Sequence, residues 1–398
     1  MAPDSERLTL SVVDDIRSVD EDQWNRLARR DEYSPFLEHE FLASIEASGA
    51  AAPETGWFPR HLVLRDSSTI IAAAPAWGRT HSMGEFVFDQ GLAEAARELG
   101  RDYYPKLTAT LPFTPSPGYR FLIDPDYDQA EVCRVLLDGL RSLRESLGMG
   151  VFSLLFVDPD WEPFIRDGFD DSLRWAHQYY IWRNRGYADF EDYVSRFRKS
   201  QRRNIRRERS SIDDQGLRIR RLEGDDIDEA VMDRMFDFYR STNENFGPWA
   251  AFFLNREWFR DIGRRWAHRI VLFAAYPAGV DEPIAMSFLI RKGRTLIGRY
   301  WGADRFVRNL HFELCYYAPI EFAINDGIDL FDPGMGSPHK TRRGFESREY
   351  GTYHEFDDET LRRLFRQVLP EANRMERDRI DELDRSVPWR RDLDDHHQ

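Results

Sequence analysis

The sequence predicts a mixed α/β fold in two domains. A chain of 398 residues, 41% of them hydrophobic and 14% aromatic, is long enough for two cores of ordinary size. Short apolar runs typical of strands alternate with stretches of helical spacing along both halves. Turn residues at Arg183–Gly186 interrupt this alternation. We therefore place the first domain at residues 1–185 and the second at residues 186–398.

The elements of the first half are placed by the spacing of apolar residues. Strand-like runs predict strands at Leu8–Val13, His61–Arg65, Ile70–Trp77, Lys106–Leu111, Val151–Phe156 and Trp175–Trp182. Helical spacing predicts helices at Asp22–Arg30, Glu38–Ala47, Gly91–Leu99 and Gln129–Leu147. Capping residues at Asp126–Gln129 and stops at Gly148 and Gly150 delimit the last helix.

The second half repeats the alternation after a very basic helix at Phe190–Ser211. Its predicted strands are Leu217–Leu222, Ile270–Tyr276, Pro283–Arg291, Thr295–Trp301, Ile328–Phe331 and Tyr350–Phe356. Its predicted helices are Ile227–Asn243, Arg256–Ala267, His311–Asn325 and Glu359–Leu383. Gly293 favours a hairpin turn between two of the strands. We expect Pro319 to kink the helix that contains it.

Composition and charge limit the possible functions. The net charge of −14 argues against delocalised binding to DNA or RNA, because attraction to phosphates requires positive charge, and any polyanion must be bound locally. Met1–Arg7 is polar and no later window approaches a membrane span, so we expect a cytoplasmic protein without integral membrane association. We expect Cys133 and Cys315 to be free thiols in amphipathic helices.

Known catalytic and metal motifs are missing from the sequence. The ten histidines show no spacing suited to a metal site, and there is neither a nucleophile elbow nor a phosphate-binding P-loop. We therefore expect no metal, no tightly bound cofactor and no covalent intermediate.

Several blocks of residues carry a resemblance to one family. These blocks are Gly84–Asp89, Tyr103–Lys106, Pro112–Pro115, Arg202–Arg209, Gly298–Gly302, His311–Tyr317, His339–Lys340 and Arg343–Phe345. In this order they resemble the predicted N-acyltransferase family of the peptidoglycan biosynthesis/recognition type, which is related to Fem-type aminoacyl transferases. The resemblance runs from about Phe36 to His354. It implies two tandem acetyltransferase-like (GNAT) domains in a Fem-like arrangement, with acyl-CoA or aminoacyl-tRNA as co-substrate.

Two blocks depart from the family's pattern. Acetyl-CoA-dependent members of the superfamily usually bind pyrophosphate with a glycine-rich turn, whereas Gly302–Leu310 lacks closely spaced glycines and includes an aspartate. This departure weakens acetyl-CoA as the donor and leaves other acyl-CoAs open. The segment Gly334–Lys340 also lacks the Gln and Glu that more often precede His-Lys, a change that could retune a substrate pocket.

The basic helix is the first candidate for binding the donor. Lys199, Arg203 and Arg206 fall on one side at helical spacings of four and three, where cationic groups could grip phosphates of CoA or of a tRNA acceptor end. We add Arg207 from this helix, and His339 and Arg343 from the loop Asp332–Phe345, as donor-binding residues. The alternative for the helix is a solvated, salt-bridged face.

Candidate catalytic residues come from a helix and a loop. Glu313, Tyr317 and Glu321 form a polar stripe on an otherwise apolar helix. A carboxylate such as Glu313 could accept the proton of the attacking amine, and Tyr317 could protonate the leaving group. The resemblance to Fem-type enzymes implies that Lys340 lies near the acyl donor. An ordinary solvated helix surface and an ordinary surface loop are the alternatives.

The first half offers candidate residues for binding the acceptor. Glu85 and Asp89 flank two phenylalanines, and both carboxylates would share one side of an extended segment. With Tyr104 and Lys106 they could bind an acceptor amine. The alternative is that both carboxylates pair with Lys106 and Arg79.

These observations favour an N-acyltransferase that moves an acyl or aminoacyl group to an amine by direct attack, with the oxyanion held by N–H donors. The acceptor would be a small-molecule or peptide-like amine, and a tRNA acceptor end is a possible partner. The alternative is a non-catalytic protein that recognises a ligand or a peptidoglycan precursor on the same fold. The sequence predicts no oligomeric state.

Overall fold

The computed structural model describes residues 8–169, 173–244 and 252–390. The chain divides into two compact units. The first consists of Met1–Gln178 and Glu349–Asp378, and the second of Tyr179–Arg348 and Arg379–Gln398. This division differs from the predicted border at residue 185, because residues 349–378 pack with the first unit. Independent folding of two domains remains a prediction, and Met1–Arg7 lies outside the described residues.

The first unit contains two sheets and five complete helices among its described residues. Its strands are β1 (Leu8–Val13), β2 (Trp57–Pro59), β3 (His61–Asp66), β4 (Thr69–Ala74), β5 (Trp77–Arg79), β6 (Lys106–Ala109), β7 (Leu122–Ile123) and β8 (Val151–Leu154). Its helices are α1 (Glu21–Ala28), α2 (His39–Ala47), α3 (Gln90–Glu98), α4 (Gln129–Ser146) and α5 (Glu162–Arg166). The short β2, β7 and α5 were not predicted, and the single strand predicted at Ile70–Trp77 is two strands, β4 and β5.

The second unit contains one sheet among its described residues, and the rest of the chain supplies its elements together with the last elements of the first unit. The elements from β9 onward are β9 (Arg174–Arg183), α6 (Phe190–Ser195), α7 (Lys199–Asp214), β10 (Leu217–Glu223), α8 (Glu229–Glu244), α9 (Arg256–Trp266), β11 (Ile270–Pro277), β12 (Ala285–Lys292), β13 (Thr295–Ala303), α10 (Leu310–Phe312), α11 (Ala318–Asn325), β14 (Leu330–Asp332), β15 (Glu346–Phe356) and α12 (Glu359–Arg385). The segments β9, β15 and α12 each contribute residues to both units.

Strand pairing is mostly antiparallel in both units. In the first unit, β1-β3-β4-β7 form one antiparallel sheet and β2-β5-β6-β8-β15 form another, in which only β6 and β8 run parallel. In the second unit the order is β10-β11-β12-β13-β14-β9, and β13 and β14 are its parallel pair. A parallel pair needs a crossover, which α10 and α11 supply. The hairpin predicted at Gly293 is present, with φ of 52° at that residue.

The basic segment is two helices rather than the single predicted helix. Asp189 caps α6, and α7 begins at Lys199. Between them, Phe197 is fully buried against Tyr193 and Trp389, with ring centroids at 5.1 and 4.5 Å. The burial of this aromatic side chain accompanies the break, and the extended residue Arg198 precedes the start of α7.

Pro319 acts on its helix in a different way from the predicted kink. The five residues before α11, Glu313–Tyr317, form a π-helical turn. Proline lacks an N–H and its ring would crowd the carbonyl four residues earlier. A wider turn accommodates both effects, and such π-bulges often occur at functional sites. Helices α10 and α11 and this turn together form one helical segment, Leu310–Asn325.

Candidate active site

Strands β13 and β14 separate after only three paired residues. Thr295–Ile297 pair in parallel with Leu330–Asp332. Just beyond, the register of β13 against β12 slips between Gly298 and Tyr300, so that Arg299 is the extra residue of a β-bulge. Bulges bend a strand and redirect its side chains. The carboxyl ends of the two strands therefore diverge and leave a cleft, which we call the strand cleft.

The strand cleft has a volume of about 150 Å³. Its lining comes from β12, the bulged part of β13, the helical segment and the loop after β14, through Ser287, Phe288, Leu289, Gly298, Arg299, Tyr300, Trp301, His311, Cys315, Tyr316, Pro333 and Met335. Ligands bind at the carboxyl ends of parallel strands in many α/β proteins, because loops and unpaired backbone meet there. The volume suits the reacting end of a donor rather than a whole donor.

Lys340 lies beside the strand cleft and fixes one of its walls. Its side chain is buried, at 1% exposure, and its ammonium donates to the carbonyls of Pro333, Gly334 and Met335, the last at 2.8 Å. Burial lowers the pKa of Lys340 to about 8, and the charge of Asp332 partly offsets this effect. The lysine thus holds the loop that supplies two lining residues, and its catalytic role remains a prediction.

None of the residues that line the strand cleft was among the predicted site residues, and Trp301, His311, Cys315 and Tyr316 are its missed side chains with the most chemical character. The spacing of four between His311 and Cys315 could have indicated a shared helix face. The Tyr316 hydroxyl lies 3.1 Å from Nε2 of His339. His339 is one of the donor-binding residues that the sequence predicts. Burial lowers the pKa of His339 to about 4 and that of His311 to about 3. Both imidazoles are therefore neutral at neutral pH, and the ring of His339 hydrogen-bonds to Tyr316 and Ser337.

Tyr317 and Arg343 belong to one buried network. The Tyr317 hydroxyl donates to Glu208, and Nη2 of Arg343 donates to the same carboxylate oxygen at 2.7 Å. The guanidinium also stacks 3.6 Å from the ring centre of Phe312. Burial, together with the Glu208 charge, raises the pKa of Tyr317. Tyr317, the predicted proton donor, and Arg343, a predicted donor-binding residue, thus both donate hydrogen bonds to Glu208. Their predicted roles remain predictions.

Glu313 lies apart from the strand cleft. Its buried carboxylate accepts two hydrogen bonds from Arg209, at 3.0 and 3.2 Å, and Arg209 also donates to Glu321 at 2.7 Å. Burial raises the pKa of the Glu313 carboxyl. Glu313 and Glu321 line a second, larger cavity that shares no residue with the strand cleft. The structure therefore does not bring the predicted base together with Lys340.

The predicted cationic face of α7 is exposed, while Ile205 and Ile212 form its buried face. Arg206 pairs with Glu191 at 2.7 Å, and Arg207 donates to Asn204. Within the ranges that the structure describes, Lys199 and Arg203 make no ion pair. Part of the face is thus salt-bridged, as the alternative interpretation held, and part carries uncompensated charge.

The predicted acceptor residues do meet, in the core of the first unit. Nζ of Lys106 lies 2.8 Å from Glu85 and 2.6 Å from Asp89, and Nε of Arg79 lies 3.1 Å from Glu85. Tyr104 joins through the Ser82 hydroxyl at 2.7 Å. All four charged residues are at most 2% exposed. The pairing with Lys106 and Arg79, one of the two alternatives, is present, and binding of an amine remains a prediction.

In the described ranges, no three His, Cys, Asp or Glu side chains are arranged to hold a metal ion. No helix within them is both long and apolar enough to cross a membrane.

Comparisons with known proteins identify the fold. The sequence profile of the FemAB-like family, described as peptidoglycan biosynthesis/recognition, matches residues 15–391. The crystal structure of FemX is 11% identical with a TM-score of 0.53, over 88% of this chain and 99% of FemX. This likeness confirms the predicted mixed α/β, Fem-like fold class. No curated protein sequence matches the chain.

Two further solved structures share less of the geometry. A tandem GNAT protein from the clavulanic acid biosynthesis pathway is 11% identical with a TM-score of 0.43, over 88% of this chain and 98% of that protein. L-PGS from Bacillus licheniformis is 9% identical with a TM-score of 0.43, over 86% of this chain and 98% of that protein.

Proposed function

The chain belongs to the FemAB-like family of peptidoglycan biosynthesis and recognition, and on that premise we propose that it is an N-acyltransferase whose activated donor binds in the strand cleft. Family membership supports a transferase of acyl or aminoacyl groups. The finer proposal is that an acyl-CoA or an aminoacyl-tRNA gives up its acyl group directly to an amine. A peptidoglycan-related peptide amine is the acceptor class that the family suggests, and the cytoplasm is the compartment we propose.

The divergence of β13 and β14 is the observation that carries this proposal. Beyond Ile297 the described part of β13 has no further pairing with β14, so the edge of β13 that faces the cleft can bind a ligand. Backbone N–H groups held in a strand are preorganised donors for an oxyanion. Gly298 lies next to the loop, and a Cβ at this position would come within 3.5 Å of the Pro333 backbone. A narrow cleft with a rigid polar wall suits a planar carbonyl group.

The proposed reaction needs few groups from the protein. The nitrogen of the amine attacks the donor carbonyl, the C–N bond forms, and the C–S bond of a thioester or the C–O bond of an ester breaks. The proton released by the amine ends on the departing thiolate or hydroxyl oxygen. Lys340 acts by holding the loop wall, and its cationic field favours the developing negative charge on the carbonyl oxygen.

The exposed cations of α7 suit the phosphate-bearing part of the donor. Lys199 and Arg203 keep their charge free of carboxylate partners within the described ranges, and phosphates bind such cations well. The turn Gly302–Leu310 is less suited to binding phosphates, because it lacks closely spaced glycines and its Asp304 already takes up the charge of the nearby Arg234. These features leave aminoacyl-tRNA, or an acyl-CoA whose pyrophosphate is bound away from this turn, as the better donors.

Amide formation with defined donors tests the proposal. Wild-type protein is incubated with a peptidoglycan stem peptide and either acetyl-CoA, longer acyl-CoAs or alanyl-tRNA, and the amide product is measured by mass spectrometry. We expect product with at least one donor and a loss of about 100-fold in Lys340→Met, the size typical of removing one oxyanion-stabilising group. In Lys199→Ala/Arg203→Ala, KM for the donor should rise while kcat is kept.

Arg294→Met serves as a control, because Arg294 is an exposed cation of the same unit that pairs with Asp329. Its activity should equal that of the wild type. If the wild type binds the stem peptide and forms no amide with any donor, the protein is a recognition module and the proposal is wrong.

A further inference from the structure

The segment that follows α12, Ser386–Arg390, lies against the junction between α6 and α7. We call this segment the strap. Its Trp389 forms an isolated antiparallel bridge with Phe197. The backbone N–H of Arg198 donates to the carbonyl of Pro388 at 2.9 Å, and Nε of Arg198 donates to the carbonyl of Trp389 at 2.9 Å. The strap is therefore bonded to the residue that immediately precedes α7.

The strap also contacts the short 3₁₀ helix Pro338–Arg343. We call this element the Lys340 helix, after the residue that holds the loop wall of the strand cleft. The Ser386 hydroxyl donates to the hydroxyl of Thr341, the residue that follows Lys340, at 3.1 Å. The strap thus reaches both the start of α7 and the Lys340 helix.

The indole of Trp389 packs between these two elements. Its ring centroid lies 4.5 Å from that of Phe197, which is fully buried. A Cβ at Gly344, the residue that ends the Lys340 helix, would come within 2.6 Å of the indole, so the ring packs directly on the backbone there. The guanidinium of Arg185 lies 5.7 Å from the indole centre. One side chain therefore contacts both elements at once.

Two hydrogen bonds draw the same elements together. The Gln201 side chain, from α7, donates to the carbonyl of Arg342, and the Tyr193 hydroxyl, from α6, donates to the carbonyl of Arg343, both at 2.7 Å. Each bond fixes one point, whereas the indole of Trp389 fills the volume between the elements. Without the indole the surrounding groups would relax toward the empty space, and the start of α7 would shift relative to the Lys340 helix.

Both elements carry groups that the proposed reaction assigns to the donor. Lys199 is the first residue of α7, and its side chain and that of Arg203 are exposed. Lys340 holds the wall beside the donor carbonyl. A donor that spans the two elements binds through its phosphates at one and through its carbonyl at the other. Binding both ends at once is most favourable when the protein holds the separation fixed in advance.

We infer that Trp389 is a positioning residue for the proposed transfer reaction, because its indole sets the separation between the start of α7 and the Lys340 helix. The inference rests on the proposed function, since it needs a donor that reaches both elements. Trp389 acts through Lys199, Arg203 and Lys340 rather than on the reacting atoms.

Pairs of donors that carry the same acyl group, one with phosphates and one without, test this role. An acyl-CoA is compared with its N-acetylcysteamine thioester, and alanyl-tRNA with the alanyl ester of adenosine. In Trp389→Ala we expect kcat/KM for the phosphate-bearing donor to fall about tenfold through KM, the size of one lost hydrogen bond between charged groups. The phosphate-free donor should keep its wild-type kcat/KM. Trp389→Phe keeps an aromatic ring against Phe197 and should recover most of the loss.

A double-mutant cycle identifies the groups through which Trp389 acts. In the Lys199→Ala/Arg203→Ala background, Trp389→Ala should add almost nothing to the loss with the phosphate-bearing donor, because coupled residues are not additive. Ile262→Ala is the control for general destabilisation, since Ile262 is fully buried in α9 of the same unit. It should leave the ratio of kcat/KM between the two donors unchanged.

Equal losses with both donors in Trp389→Ala, or full additivity in the cycle, would make Trp389 a purely structural residue and overturn the inference. Hydrogen exchange measured by mass spectrometry provides a readout that needs no donor. Trp389→Ala should speed up exchange in peptides that cover the start of α7 and the Lys340 helix, and unchanged exchange in an active enzyme would overturn the inference alone. A wild type that forms no amide with any donor would instead overturn the proposed function, and the inference with it.

Discussion

Two buried lysines, one in each unit, are compensated in opposite ways. In the first unit, Lys106 lies within 2.8 Å of both Glu85 and Asp89, and Arg79 completes a set of two cations and two anions. In the second unit, Lys340 donates to backbone carbonyls, and the field of Asp332 only partly offsets its burial. The pKa of Lys106 is accordingly raised by its two carboxylates against the effect of burial, whereas that of Lys340 is lowered.

On the proposed function, this difference distinguishes a buried charge that stabilises the fold from one that acts on a ligand. A closed set of ion pairs fixes the packing of its strand and loops, and it has little attraction left for a ligand. A buried ammonium held mainly by neutral carbonyls keeps a positive field that an incoming oxyanion can use. The strand cleft lies beside the second kind of lysine.

The substitution with the largest expected effect on stability is Lys106→Met. It removes a cation and leaves Glu85 and Asp89 facing each other in the core, so we expect the free energy of unfolding to fall by about 3–5 kcal/mol. Urea unfolding followed by circular dichroism measures this. Arg97→Met is the control, because it breaks only an exposed pair with Glu94 and should leave the free energy of unfolding essentially unchanged. A Lys106→Met protein of normal stability that has lost its affinity for the amine would reverse our interpretation and make the network the acceptor site.

The fold was largely predictable because apolar spacing reports directly on strands and helices. Strand β1 was predicted with its observed bounds, and β10 to β13 within two residues of theirs. The spacing could not reveal that Phe197 would break the basic helix, because that break depends on an aromatic cluster that includes Trp389, nearly two hundred positions away. Nor could it show that Pro319 would be met by a wider helical turn instead of a kink.

Site residues were predicted less completely, since their geometry depends on how the chain folds. Lys340 was selected through its family motif, and it does lie beside the strand cleft. Glu313 was selected by its spacing with Tyr317 and Glu321, but spacing cannot show which side of a helix a cavity occupies. The strand cleft itself depends on a bulge at Arg299, and no composition signal marks that residue.

The depressed pKa of Lys340 should also make the free energy of unfolding depend on pH. The pKa of Lys340 falls from its ordinary 10.5 to about 8 on folding, so between these values the unfolded chain binds more protons than the folded one. Stability contributed by this group therefore rises with pH across that window, by roughly 3 kcal/mol when complete. Unfolding free energies at pH 7.5, 8.5 and 9.5 measure the rise.

Lys340→Met isolates that contribution, because the buried thiols and tyrosines titrate alike in both proteins. The wild type should gain stability relative to Lys340→Met as the pH rises from 7.5 to 9.5. A difference that stays flat with pH would mean that Lys340 is as well compensated as Lys106, and the contrast between the two units would disappear.

The smallest expected effect concerns Tyr317, which lies in a third buried network. Tyr317→Phe removes one hydrogen bond to Glu208 but leaves the 2.7 Å contact between Glu208 and Arg343, so we expect a loss of about 1 kcal/mol in unfolding free energy. Because the hydroxyl already donates its proton to Glu208, kcat for amide formation should stay within about tenfold of the wild type. Stopped assays of product against time give kcat. A hundredfold drop in kcat at unchanged donor KM would instead show that Tyr317 releases its proton to the leaving group. The network of Tyr317, Glu208 and Arg343 would then take part in catalysis rather than only stabilise the fold.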